Sequence, residues 1–118
     1  MIFPWPDAQL CGNRRSDRRK ITAIRAAARD TGWALASEAR LKFKSIPLRL
    51  TMTFIQPNHL KRDILNVAEG MKYSIDGIFN ALGLDDCLIA EVHLRWGGYM
   101  RGGAVQVELT QIDAVSHE

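Results

Sequence analysis

Residues 61–86 hold the side chains best suited to chemistry: Lys61, Arg62, Asp63, Asn66, Lys72, Asp76 and the pair Asp85–Asp86. Lys72 and Asp76 share one face of any helix that carries them, with Glu69 one turn earlier. Asp63 falls just before such a helix and Asp85–Asp86 just past its end. If Asp63 and Asp86 converge across a sheet edge, their oxygens make a hard-donor site suited to Mg2+, with Mn2+ as the alternative. Such a cation activates a water and neutralises a scissile phosphate, while a lysine stabilises the developing negative charge. That is phosphodiester hydrolysis. Plainer roles fit the same residues. Asp63 or Asn66 can cap the helix, with Asn66 and Glu69 as a capping box, Lys72–Asp76 can be a surface pair, and Gly83-Leu84-Asp85-Asp86 can be a turn.

The elements that must position these groups are readable from periodicity. Ile2 to Pro6 is too proline-rich for a central strand and suits a short edge strand. Residues 7–20 read as a basic loop, from which Ser16 or Asp17 caps a helix running to about residue 40. Ile21, Ile24, Ala28, Thr31, Leu35 and Ala39 form its apolar stripe, and Gly32 predicts a bend or fraying. Leu48, Leu50, Met52 and Phe54 alternate with polar residues as a half-buried strand, ended by Gln56-Pro57-Asn58-His59.

A second helix is expected from Asn66 to Leu82, with Val67, Met71, Ser74, Ile75, Ile78 and Leu82 inward and Gly83 as C-cap. Leu88 to Trp96 reads as a strand with Ala90, Val92 and Leu94 on one face. Gly97 to Gly103 then reads as a hairpin loop, and Ala104 to Ile112 as its return strand, with Val105, Val107 and Leu109 inward. Residues 113–118 read as a frayed tail. The order (β)αβαββ predicts one α/β (α+β) domain over residues 1–118, a mixed sheet with helices mainly on one face.

Composition bounds the function. The 118 residues suit one domain, and 47% hydrophobic with 25% charged residues argues against disorder. No apolar run approaches a membrane span, and the start lacks the features of a signal peptide. Cys11 and Cys87 make neither a disulfide framework nor a zinc site, so a cytoplasmic protein with reduced thiols is expected. His59, His93 and His117 have no ligand spacing. The net charge of +3 conceals an asymmetry. Residues 1–49 hold eleven of the sixteen Lys/Arg and four of the thirteen acids, a net of +7, and residues 50–118 carry −4. A basic half beside an acidic half points to a polyanion contact next to a metal or acid–base site.

In Phe3-Pro4-Trp5-Pro6, Asn13-Arg14-Arg15, Arg62-Asp63-Ile64-Leu65-Asn66, Lys72, Ile75-Asp76-Gly77-Ile78 and Leu84-Asp85-Asp86, the chain resembles the RusA-type Holliday-junction resolvases over nearly its whole length. The family writes the last stretches as Arg-Asp-x-Asp-Asn, then Lys, Asp-Gly-Leu and Asp-Asp. The resemblance implies a RusA-like fold and a homodimeric, Mg2+-dependent endodeoxyribonuclease of prophages and other mobile elements, acting in DNA recombination and repair by nicking four-way junctions. By position, it makes Asp63 and Asp86 metal-binding catalytic aspartates and Lys72 the catalytic lysine. It matches Asp76 and Asp85 to further acids of the metal site. One position departs: the family's second aspartate is Leu65 here, which offers a metal no lone pair. Glu69, one turn on, is the candidate replacement.

For DNA contact the expected residues are Arg14, Arg15, Arg18, Arg19, Lys20, Lys61 and Arg62, with Tyr99 and Arg101 in the glycine loop and Lys42 and Lys44 as additions. Trp5 and Trp33 read as packing or dimer-interface residues. Three readings therefore stand: an active junction endonuclease, a catalytically impaired junction-binding protein, and a small α/β interaction domain whose acids are only caps and turns.

Overall fold

The computed structural model describes residues 1–12 and 17–112; the expected tail at 113–118, and Arg14 and Arg15 of the basic loop, lie outside the described residues. The apolar alternation of residues 48–54 makes strand β2 (Leu48–Gln56), in which Leu48, Leu50, Met52 and Phe54 are each buried. Each such side chain contributes roughly 1.5–3 kcal/mol when fully removed from water, so β2 takes the centre of the sheet. Its partners are β3 (Ile89–Tyr99), parallel on one side, and β4 (Ala104–Gln111), antiparallel on the other. The short β1 (Ile2–Pro4) adds antiparallel to β4, giving the order β1-β4-β2-β3. This is the expected mixed α+β sheet.

The expected hairpin does not form. β4 lies across β2 from β3, so the glycine-rich segment is a crossover around the end of β2. The Met100 N–H donates to the carbonyl of Gln56 (2.9 Å), and the Gly103 N–H donates to the carbonyl of Met100 (2.9 Å). Gly102 and Gly103 supply the positive φ angles of 82° and 68° that this turn requires. β2 carries an unbroken apolar alternation, and inserting it between the other two pairs both its edges while one face, Leu48, Leu50, Met52 and Phe54, is buried. β3 is left as an edge strand. A register shift at Ala90 drops that residue out of the expected face, while Val92, Leu94 and Trp96 pair with Leu50, Met52 and Phe54. Val92 on that edge is 53% exposed.

Helix α1 (Arg18–Ala39) starts where Asp17 accepts a hydrogen bond from the Arg19 N–H (2.8 Å) and ends at Arg40 in the left-handed region. Arg18, Arg19 and Lys20 therefore belong to its first turn and not to a loop. Gly32 does not break it. The glycine lets α1 cross close to a later helix, against the backbone of Ser74. The expected second helix is two: α2 (Ile64–Glu69) and α3 (Lys72–Leu82), separated by a tight turn in which Gly70 and Met71 donate to Val67 and Ala68. The break lets α2 lie against β3 while α3 packs on α1. The inward residues are otherwise as expected, with Val67, Met71, Ser74, Ile75 and Ile78 buried and Leu82 half-buried.

Candidate functional site

Asp63 stands beyond the C-terminal end of β2, after a loop held by Arg62. The Arg62 guanidinium donates to Gln56 Oε1 (3.2 Å), to the carbonyls of Asn58 (3.1 Å) and Leu60 (3.2 Å) and to Asn58 Oδ1, and it lies 5.4 Å over the Trp5 ring. Both of its terminal nitrogens thus donate within the loop and brace the approach to Asp63. Trp5 in turn packs edge-on against Phe54, its ring 6.3 Å away. Asp63 is the N-cap of α2, accepting from the Leu65 N–H (2.9 Å). The capping role thus falls to Asp63 and not to Asn66. Trp5, Cys11, Lys61, Arg62, Asp63 and Asn66 border one cleft of about 300 Å³.

Asp76, Asp85 and Asp86 border a different cavity, of about 350 Å³, together with Arg29 and Asn80 near the C-terminal end of α3. Asp85 accepts from the Cys87 N–H (2.8 Å), capping a one-turn 3-10 helix at Asp86–Leu88. That hydrogen bond holds the Asp85 carboxyl below its usual value. Its hydrogen bond with Asp85, reinforced by desolvation, pushes the Cys87 thiol up.

The two acidic sites do not converge within one chain. β2 and β3 run parallel, with α2 and α3 returning between them. Asp63 follows the end of β2, and Asp86 precedes the start of β3, so the acids stand at opposite ends of a nine-residue strand, roughly 25 Å long. Among the described residues, no three of His, Cys, Asp and Glu are grouped to hold a metal ion. A single chain therefore does not fit the Mg2+ or Mn2+ site expected from Asp63, Asp76, Asp85 and Asp86. Leu65, at the position of the missing aspartate, is 67% exposed.

Lys72 opens α3, exposed, its ammonium 5.9 Å from the centre of the Tyr73 ring; no ion pair with Asp76 forms among the described residues. The same ring holds the guanidinium groups of Arg25 (5.1 Å) and Arg29 (4.9 Å), two residues that sequence reasoning missed. Their four-residue spacing on one face of α1 was the available signal. Arg18, Arg19, Lys20, Lys61 and Arg101 are exposed. Tyr99 closes β3, half-exposed, its ring 3.7 Å from that of His59. Trp33 is 55% exposed on α1, so it is a surface residue of this chain and not a core one.

No family model matches this chain, and no curated protein matches it either. Among the described residues, no helix is long and apolar enough to cross a membrane.

Proposed function

We propose that the chain is a structure-selective endodeoxyribonuclease of the RusA type, acting on four-way DNA junctions as a homodimer whose active sites each combine Asp63 of one copy with Asp86 of the other. One observation carries this reading: both acids stand beside the same unpaired edge strand, at opposite ends. α2, which begins at Asp63, lies against β3, and Asp86 lies just before β3 begins. A two-fold, antiparallel pairing of β3 with its copy reverses the direction of one strand and so sets the Asp63 end of one chain against the Asp86 end of the other.

The edge has the character such a pairing needs. Val92, Trp96 and Tyr99 are exposed on a strand of eleven residues with one edge open. Pairing centred on His93 places Glu91 opposite Arg95 of the partner subunit, a favourable cross-strand pair made twice. The carboxylate pair so formed has the hard oxygens that Mg2+ or Mn2+ prefers. The basic half of the chain supplies cations for the DNA backbone. Lys72 is the group available to stabilise negative charge at phosphate.

The test is trans-complementation on a synthetic junction with Mg2+ or Mn2+. Asp63→Asn and Asp86→Asn should each abolish cleavage, and mixing the two should restore one intact site per heterodimer and hence nicking. If the mixture stays inactive while the parent cleaves, the shared site is wrong. Exposed Leu65 favours a second reading, the impaired junction-binding protein. A parent that binds the junction in EDTA but never cuts it assigns that reading. A parent with no preference for the junction over linear duplex leaves the interaction domain.

A further inference from the structure

We infer that Arg25, Arg29 and Lys72, gathered around the ring of Tyr73, form a binding site for the phosphodiester backbone of DNA on the α1–α3 face. The inference rests on the DNA-binding reading above for the identity of the polyanion.

Three cations approach one aromatic ring at 5.1, 4.9 and 5.9 Å. All three are exposed, whereas Tyr73 is half-buried and anchored next to Ser74 and Ile75 in the α3 core. The ring face attracts each cation and so restrains long, flexible side chains before any ligand arrives. Their donors stay unused: among the described residues, none of the three makes an ion pair or a side-chain hydrogen bond. Three arginines elsewhere are engaged. Arg62 is engaged in its loop, Arg49 pairs with Glu91 (3.3 Å), and Arg95 donates to Thr53 Oγ1 (2.7 Å).

Held together, three like charges repel one another, and a bound anion relieves that repulsion. Asp76, Asp85 and Asp86 border the cavity that Arg29 also borders, and Asp30 and Glu69 are close in sequence to Arg29 and Lys72, yet none pairs with the cluster among the described residues. Guanidinium groups present forked donors that match phosphate oxygens, and Lys72 adds a point charge. A strand lying here would pass over Lys72, which the proposed reaction uses.

The experiment is binding of a fluorescent four-way junction in EDTA across a salt series. It compares the parent with Arg25→Gln/Arg29→Gln and with a charge-matched control, Arg40→Glu, at an exposed position past the end of α1. Gln keeps good helix propensity, so α1 should persist, which circular dichroism checks. The Arg25/Arg29 variant should bind roughly tenfold more weakly than the control, with a log–log salt slope shallower by about 1–2, since each lost phosphate contact removes about 0.9. Equal affinity and slope in the two variants overturn the site. If the parent binds no DNA, inorganic polyphosphate separates the two ideas. Polyphosphate binding that the Arg25/Arg29 variant loses supports the site while the nuclease reading falls; no binding by the parent overturns both.

Discussion

Gly32 on α1 and Gly77 on α3 meet where the two helices cross, and neither has room for a side chain. A Cβ on Gly32 would fall 2.0 Å from the Ser74 carbonyl oxygen, and one on Gly77 would fall 2.0 Å from that of Arg29. The contact sets the distance between α1 and α3 and with it the reach of Arg25 and Arg29 to Tyr73. In an exposed helix, Gly→Ala stabilises by about 1 kcal/mol. Here overpacking against backbone costs roughly 1–3 kcal/mol, and the clash prevails. Gly32→Ala and Gly77→Ala should each lower the denaturation midpoint at unchanged m-value. A midpoint at or above the parent's would show that the helices separate freely.

Asp63 is both a cap and a proposed active-site group, and substitution can separate the two. Asp63→Ala removes the acceptor for the Leu65 N–H and should cost about 1 kcal/mol. Asp63→Asn keeps an acceptor and should fold within a few tenths of a kcal/mol of the parent. Urea titrations of both variants check this. Equal stability of the two would remove the cap from the account, and a stable Asp63→Asn makes its cleavage result interpretable.

Leu65 lies in the first turn of α2 and is 67% exposed, so it has little packing role to lose. Leu65→Asp adds a carboxylate near a helix N-terminus, where the dipole favours it by about 0.3–1 kcal/mol. The variant should be as stable as the parent or slightly more so, and it should cleave a four-way junction faster with Mg2+. A variant that binds the junction and still cuts no faster than its parent would count against Leu65 as the defect.

The Asp85–Cys87 hydrogen bond links a low carboxyl pKa to a high thiol pKa. A carboxylate held below its ordinary value stabilises the fold above about pH 4 and loses that contribution as the pH falls through its folded-state pKa. Asp85→Ala should therefore lower stability at neutral pH and leave it nearer the parent's in acid. It should also lower the Cys87 thiol pKa, so alkylation of the Cys87 peptide at pH 8, followed by mass spectrometry, should quicken several-fold. An unchanged alkylation rate would mean that Asp85 does not control the thiol.

Much of this molecule is legible along the chain. The alternation of Leu48, Leu50, Met52 and Phe54 identifies the central strand, and Asp17 and Gly83 mark helix ends, because caps and periodicities act over a few neighbouring residues. The site is less legible. Asp63 and Asp86 suggest a shared cation when read in order, but a parallel β-α-β connection carries them to opposite ends of the sheet. Arg62 reads along the chain as a DNA contact, and only the fold shows that it also braces the loop through Gln56, Asn58, Leu60 and Trp5.

The sequence alone determined where the main strands and helices fall, the division into a basic and an acidic half, and the residues able to do chemistry. Tertiary structure decided who meets whom. β2 enters between β3 and β4, leaving β3 as an open edge, and the Gly32–Gly77 crossing brings cations from α1 and α3 to one tyrosine. Local pattern cannot encode these pairings. They are chosen by which arrangement buries the most apolar surface while pairing the backbone of the central strand, and that is a property of the whole chain.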